Sequence, residues 1–223
     1  MKKYILILFL SIFTISTFAQ GVRMGLSASP QLSWLKSNNG EVKSDGVRMG
    51  FNFGMNTDFF FAERYSFSTG VFINNTGGKL KYNDSLIFNS NGKIYNLAPE
   101  AVITYKIQYI DIPMDFRMES NQIGYFVFYA QFGVTNHLRV GASADVNSSN
   151  TELNGSGCKD EVAFYTMSYD IGGGFNYYFS KNTAVTVGIL YSNGFIDVTN
   201  NTDSNYSDNA TLRNIALKIG ILF

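Results

Sequence analysis

Residues 47–56 read Val-Arg-Met-Gly-Phe-Asn-Phe-Gly-Met-Asn, and this stretch decides the fold. Every second residue is large and apolar, and the residues between them are small or polar. Successive side chains of a β-strand point to opposite faces, so this period of two predicts a strand with one apolar and one polar face. We expect the apolar set to point outward and the polar set inward; the apolar set comprises Val47, Met49, Phe51 and Phe53.

The same alternation recurs along the rest of the chain. It is clearest at positions 215–223, where Ile215, Leu217 and Ile219 alternate with smaller or polar residues. Similar stretches cover residues 22–29, 163–172 and 184–192, and three more, with broken alternation, cover residues 65–75, 102–118 and 125–140. Together they predict eight strands. In the stretch 102–118 the apolar parity shifts near Ile110, which predicts a β-bulge there.

The first 19 residues predict a signal peptide. Lys2 and Lys3 precede an apolar run, and small residues follow up to Ala19. The run is shorter than the ~20 residues of a transmembrane helix, which disfavours the alternative of a membrane anchor. We expect cleavage between Ala19 and Gln20, export into a Gram-negative cell envelope, and a single domain over residues 20–223.

The predicted connections alternate in length. Short turns fall at residues 62–64, 119–122 and 180–182, and long polar connections at residues 36–45, 76–99, 147–160 and 197–209. Short periplasmic turns and long outer loops are typical of outer-membrane barrels. The sequence therefore predicts an all-β, eight-stranded, antiparallel up-and-down transmembrane barrel with both termini in the periplasm.

A soluble ligand-binding barrel is the alternative, because it also alternates but with its apolar face inward. Composition favours the membrane barrel: only 15% of residues are charged, against about 25% in average soluble domains. Aromatic residues also cluster near the predicted strand ends, as in interfacial girdles. Phe223 shares its parity with Ile219 and Ile221, and this arrangement resembles the insertion signal read by the barrel assembly machinery.

The motif Tyr109-Ile110-Asp111-Ile112-Pro113 carries a family resemblance. Together with Phe18-Ala19-Gln20, it resembles the PorT-like outer-membrane β-barrel family of Bacteroidetes. In that family a strand typically reads Tyr-(Leu/Ile)-(Glu/Asp)-(Ile/Val)-Pro. The resemblance implies an eight-stranded barrel and implies no particular activity.

The polar parity supplies candidates for the barrel interior. Enclosed charges must pair or be hydrated, and eight strands enclose little more than side chains. We therefore expect a plug of ion pairs and hydrogen bonds in which Arg48 or Lys218 pairs with Asp111 or Asp170; a narrow solute path is the alternative. The candidates are Arg48, Asn52, Asp58, Lys106, Asp111, Asp170, Arg213 and Lys218.

His137 and Cys158 are each the only residue of their type. A catalytic histidine needs a serine and an acid, and Ser143 and Asp145 are near in sequence. No serine lies at position 135 or 139, so a structural His137 is favoured over an outer-membrane lipid-modifying enzyme. Cys158 has no partner within the chain, which leaves a free thiol or a disulfide to another chain.

The remaining motifs exclude several function classes. We find no phosphate loop, zinc motif, calcium loop or basic nucleic-acid patch, so we expect no cofactor, no metal, no nucleic-acid partner and no enzymatic activity. The predicted function is that of a small monomeric outer-membrane protein with a structural or interaction role. Its expected partners are outer-membrane lipid, the barrel assembly machinery during insertion, and a protein bound at the outer loops.

Overall fold

A computed structural model describes residues 21–38, 40–200 and 209–223. The predicted signal peptide, with its cleavage site at Ala19 and Gln20, lies outside the described residues. No helix in the described part of the chain has the length and hydropathy to span a membrane. The strands are β1 (Gly21–Ser37), β2 (Val42–Ser44), β3 (Arg48–Ala62), β4 (Tyr65–Tyr82), β5 (Leu86–Ser90), β6 (Lys93–Leu97), β7 (Ala101–Glu119), β8 (Phe126–Ser148), β9 (Thr151–Gly157), β10 (Tyr165–Tyr178), β11 (Ala184–Gly194) and β12 (Ala210–Leu222), with one 3₁₀ turn at Lys159–Glu161.

Eight of these strands close into a ring. Their order is β1, β3, β4, β7, β8, β10, β11 and β12, each antiparallel to the next. β12 pairs back with β1, from Leu222 opposite Gly25 to Ala210 opposite Ser37. Closure leaves the ring no unpaired edge. The predicted eight-stranded antiparallel barrel is thus confirmed.

The two ends of the barrel differ. The short turns lie at one end, here called the inner end, together with Gly21 and Phe223. The connections at the opposite, outer end are long, and they contain β2, the β5–β6 hairpin, β9 and the 3₁₀ turn. These connections were predicted to be polar loops; much of them is strand instead.

Side chains in the inner part of the barrel are apolar outside and polar inside. Ile219 is 45% exposed, whereas Ser27, on the inward parity of β1, is 7% exposed. The outward apolar residues run from Val22 to Leu32 on β1 and from Ile215 to Phe223 on β12. These lengths match the roughly 9–11 residues of a tilted strand that crosses a bilayer. A soluble barrel would have the opposite orientation.

The polarity inverts toward the outer end. On β7, Met114 is exposed on the outside, while Ile103 and Ile107, on the opposite parity, are buried inside. The parity of β7 does not change; the surroundings do, because the strand leaves the apolar band and continues into water. The predicted bulge at Ile110 is therefore wrong. The register irregularity lies on the partner strand β8, where Gly141 and Arg139 oppose the consecutive residues Gln108 and Tyr109.

An apolar core fills the outer end, where inward residues of the ring meet the outer cap. The outer cap comprises β2, β5, β6, β9, the 3₁₀ turn and the adjoining residues 158–164 and 195–200. A buried carboxylate ties the hairpin to the turn, because Asn89 donates its backbone N–H to Glu161 Oε1 at 2.8 Å. The largest buried members of this core are Leu35, Leu80, Tyr82, Phe88, Leu97, Ile103, Tyr109, Val146, Val162 and Val198.

Cys158 provides a test of this packing. The residue is fully buried, and burial, with a further contribution from the Glu161 carboxylate, raises the pKa of its thiol to about 12. The thiolate is the reactive form, so we expect maleimide labelling at pH 8 to be on the order of a thousandfold slower than for a free thiol. Mass spectrometry before and after unfolding measures this. The control is Ser149→Cys in a Cys158→Ser background, which presents an exposed thiol in the same region; equal labelling rates would contradict the packed cap.

Candidate functional site

The barrel interior holds a cluster of charged side chains. Near the inner end, Arg23 on β1 reaches across the lumen to acids on two other strands. Its guanidinium donates to Asp58 Oδ2 at 2.8 Å and to both carboxylate oxygens of Glu119. It also donates to the Tyr178 hydroxyl at 2.9 Å. Ser68 donates to the other oxygen of Asp58 at 2.6 Å, so this carboxylate is well satisfied.

Arg117 completes this inner layer. It is fully buried and donates to Glu119 Oε1 and to Asn176 Oδ1, each at 3.1 Å. Its guanidinium lies 3.7 Å from the centroid of the Tyr129 ring, a cation–π contact. A methyl group at Gly188 would overlap the Tyr129 hydroxyl, so glycine there makes room for the ring. The inner layer therefore joins β1, β3, β4, β7, β8 and β10.

His137 is the centre of a second layer, nearer the outer end. Its Nδ1 lies 2.7 Å from Asp111 Oδ1 and its Nε2 lies 3.0 Å from the Ser168 hydroxyl. Asn74 donates to the other oxygen of Asp111 at 2.7 Å. Ser168 donates to Asp170 Oδ1 at 3.2 Å, and Thr135 donates to the other oxygen of Asp170. Each carboxylate thus has partners on both oxygens.

The order Ser168–His137–Asp111 resembles the nucleophile, base and orienting acid of a hydrolase. The hydrogen bonds give it a different chemistry. The Ser168 hydroxyl donates its one proton to Asp170, so that proton is not directed to His137. Both ring nitrogens of His137 have hydrogen-bond partners, Asp111 at Nδ1 and Ser168 at Nε2. These hydrogen bonds connect the side chains of the neighbouring strands β7, β8 and β10.

The free space between these side chains is small. A cavity of about 60 Å³ is lined by Asp111 and His137 of the second layer and by Asp115, Gln131 and Lys218. Gln131 donates to Asp115 Oδ2 at 2.8 Å, while Asp115 Oδ1 and Gln131 Oε1 have no protein partner. Such a volume holds a few water molecules, which would satisfy these atoms. It holds no larger solute.

The structure brings together some of the predicted interior residues. Asp58, Asp111 and Asp170 lie in the two layers described above, and Asn52 and Lys218 line the cavity. No carboxylate of the described residues lies within 4 Å of Lys218 Nζ, although Asp58 and Asp115 are near enough to interact with its charge. The expected pairing of Lys218 with Asp111 or Asp170 is therefore not found.

Two other predicted residues, Lys106 and Arg213, lie elsewhere, and Arg48 keeps the inward parity of Asn52 and Asp58 without its predicted ion pair. Lys106 faces outward and pairs with Asp145, and this ammonium, with the Gly155 N–H, holds the pKa of Asp145 below its usual range. Arg213 shares the outward parity of Ile215. Arg48 donates to the Thr76 carbonyl at 2.7 Å and pairs with neither predicted acid. The assignments of Lys106 and Arg213 to the interior are wrong because polarity inverts above the apolar band, where polar residues face outward.

Sequence reasoning missed Arg23, Arg117, Glu119 and Ser168. The signal was available for the β7 pair, because Arg117 and Glu119 share the parity of Asp111 and Asp115. Ser168 shares the parity of Asp170 two residues later, yet its partner His137 lies 31 residues away in sequence. Ser143 and Asp145, considered as partners of His137, are instead on the outward parity beyond the register irregularity of β8.

The inner layer predicts a large loss of stability when its cation is removed. Arg23→Met leaves two carboxylates in the lumen without their main partner. Breaking a buried pair from one side costs about 3–5 kcal/mol, whereas Lys106→Met, which breaks a half-exposed pair, should cost under about 1 kcal/mol. Urea unfolding of the barrel in lipid vesicles, followed by tryptophan fluorescence, measures both. Equal effects of the two substitutions would contradict the structural role of the inner layer.

Comparison with known proteins supports the fold. The sequence matches the family described as outer membrane protein beta-barrel domain over residues 14–198, more than half of the chain. No curated protein matches the sequence. Similar solved structures include neisserial surface protein A (11% identity, 91% of this chain and 98% of that chain, TM-score 0.47), Ail of Yersinia pestis (15%, 90% and 98%, 0.42) and the protease OmpT of Escherichia coli (9%, 92% and 97%, 0.46). On the family match, the chain belongs to the outer membrane protein beta-barrel domain family and is a protein of the outer membrane.

Proposed function

We propose that this protein is a plugged, monomeric barrel that acts through its outer end, in a structural or interaction role. The observation that carries the proposal is the filled interior: two layers of paired side chains leave a cavity of about 60 Å³. Above them, apolar side chains close the outer mouth. A solute has no open route through such a barrel. The surfaces left for recognition are the outer cap and the lipid-facing wall.

The finer family assignment is part of the same proposal. The motif Tyr109–Pro113 lies on β7, where Asp111 holds His137 and Pro113 falls in a gap of the β4–β7 pairing between Thr69 and Phe72. A proline suits such a gap because it has no N–H to donate. We take this as support for membership of the PorT-like group. The proposal also includes export directed by the signal peptide and its cleavage after Ala19.

An enzymatic function is the less supported candidate. Ser168 and His137 are both buried, and the serine proton is directed to Asp170. The neighbouring cavity has no room for an acyl chain. A lipid-modifying enzyme needs its nucleophile where a lipid can reach it, so we infer a non-enzymatic barrel.

The filled interior predicts negligible conductance. In planar bilayers, the refolded protein should give no stable single-channel openings, because its two polar layers and apolar cap obstruct ion flow. A general porin in the same bilayer serves as the positive control. Insertion is checked independently by heat-modifiable gel mobility of the reconstituted protein. Large, stable openings from the inserted barrel would contradict the plugged state.

The inner end of β12 predicts a role in assembly. We propose that Ile219, Ile221 and Phe223, which all face outward, form an insertion signal; Phe223 exchanges backbone hydrogen bonds with Met24 at 2.9 and 3.0 Å. Deleting Phe223 should leave export intact and reduce the fraction with folded, heat-modifiable mobility. Phe179→Ala removes another exposed aromatic at the inner end and should assemble normally. Normal assembly of the deletion variant would remove the support for an insertion signal.

A further inference from the structure

Gly133 on β8 lies between two carboxylates inside the barrel. Its register partner on β7 is Asp115 and its register partner on β10 is Asp170, so the two acids stand on either side of a residue without a side chain. A methyl group at Gly133 would overlap Asp115 Oδ1, so this oxygen occupies the space over the glycine. The two carboxylates are near enough for their charges to interact, and like charges in an enclosed lumen repel each other.

The charges around this pair do not balance. Among the described residues, the two layers and the cavity wall hold five carboxylates but three arginine and lysine side chains, a difference of two. The carboxylates are Asp58, Asp111, Asp115, Glu119 and Asp170, and the cations are Arg23, Arg117 and Lys218. His137 adds a positive charge only when it is protonated. Enclosed charge must be compensated, so the interior lacks positive charge.

Asp115 is the carboxylate where this charge is missing. Each of the other four has hydrogen-bond partners on both oxygens. Asp115 accepts from Gln131 at Oδ2, and its Oδ1 has no protein partner. Arg117 and Lys218 are near enough to interact with its charge, yet neither lies within 4 Å of the carboxylate. An additional positive charge therefore belongs at Asp115 Oδ1.

Gln131 supplies a second unpartnered oxygen at the same place. It precedes Gly133 by two residues on the inward face of β8, is 4% exposed, and lines the cavity together with Asp115. Its Oε1, like Asp115 Oδ1, is buried and accepts no hydrogen bond from the protein. Thr135, two residues beyond Gly133, adds a hydroxyl oxygen to the wall of the same cavity. Carboxylate and amide oxygens together with water are the ligands that a hard cation prefers.

We propose that Asp115, Asp170 and Gln131 bind one Ca²⁺ ion over Gly133 in the barrel interior. Its charge matches the two carboxylates and the difference of two between acids and cations. Calcium takes about six to eight oxygen ligands, among them carboxylates, amide carbonyls and waters. The cavity of about 60 Å³ beside the site has room for those waters. The ion links β7, β8 and β10 from within, and it goes beyond the plugged barrel by adding a ligand to its polar interior.

Because the site is enclosed, the ion is incorporated on folding and then retained. We would refold the protein from urea into neutral phosphatidylcholine vesicles with excess Ca²⁺ or Mg²⁺, wash with chelator, and measure the metal content by elemental analysis. One Ca²⁺ per barrel is expected, and less Mg²⁺, which loses its water ligands reluctantly. At a free Ca²⁺ concentration of about 100 times Kd, the unfolding equilibrium constant in urea should fall about a hundredfold, because Ca²⁺ binds only the folded chain.

Matched variants separate the ion site from a structural role of the same residues. Asp115→Asn removes the unpartnered charge at nearly constant shape and should retain no Ca²⁺. In chelator it should be at least as stable as the unsubstituted protein, because an uncompensated charge has been removed. Asp145→Asn, which removes a carboxylate paired with Lys106 outside the lumen, should retain one Ca²⁺. Heat-modifiable mobility verifies that each variant is folded.

Three results would overturn the proposal. They are no retained Ca²⁺ in the unsubstituted protein, equal retention by Asp115→Asn, or a stability that depends on pH but not on Ca²⁺. The last result would indicate that Asp115 takes up a proton instead of a metal ion. Any of them would leave the plugged-barrel proposal intact, because that proposal fails separately, on conductance.

Discussion

Hydrogen bonding of the backbone in lipid is the constraint on which the rest of this structure depends. Hydrocarbon offers no donors or acceptors, so a spanning sheet must pair its first strand with its last. Here β12 closes on β1. Closure with eight strands leaves an interior about one side chain wide. Every inward residue of the apolar band must therefore fit against residues from the opposite wall, as Arg23 does when it contacts β3, β7 and β10.

The interior charges follow from this closure and also help to define it. A buried ion pair is weak evidence of net stability, but a buried charge without its partner is strongly unfavourable. A one-residue slip of a strand would turn its charges toward lipid and its apolar side chains inward. The contacts of Arg23 and His137 together link five of the eight ring strands. We infer that they specify the strand register as well as fill the space.

Much of the fold could be predicted from the sequence, because alternation depends on local chemistry. Strand number, antiparallel order and the outward set at Met49 and Ile219 required only the period of two. The period of two does not show whether a residue lies within the apolar band or above it. Lys106 and Ile110 both face outward on β7, but Lys106 is surrounded by water, whereas Ile110, four residues further along the strand, lies in the band. The register between neighbouring strands was not readable from the sequence either. Thr166 on β10 lies opposite His137 on β8, which makes Ser168 the diagonal neighbour of His137, and this contact was missed.

The inversion of polarity bears on where function can reside. Inside the band, the surface is apolar and the lumen is filled, so neither region offers a distinctive site to a soluble partner. Above the band, the strands continue in water as the wall of an apolar core, and their outward side chains are free to vary without loss of packing. Residues at the boundary itself contact both environments: among the described residues, Arg213 is an outward cation without an ion pair two residues from the exposed Ile215. Binding specificity in a barrel of this kind is therefore expected at the boundary and in the cap, where side chains contribute least to closing the ring.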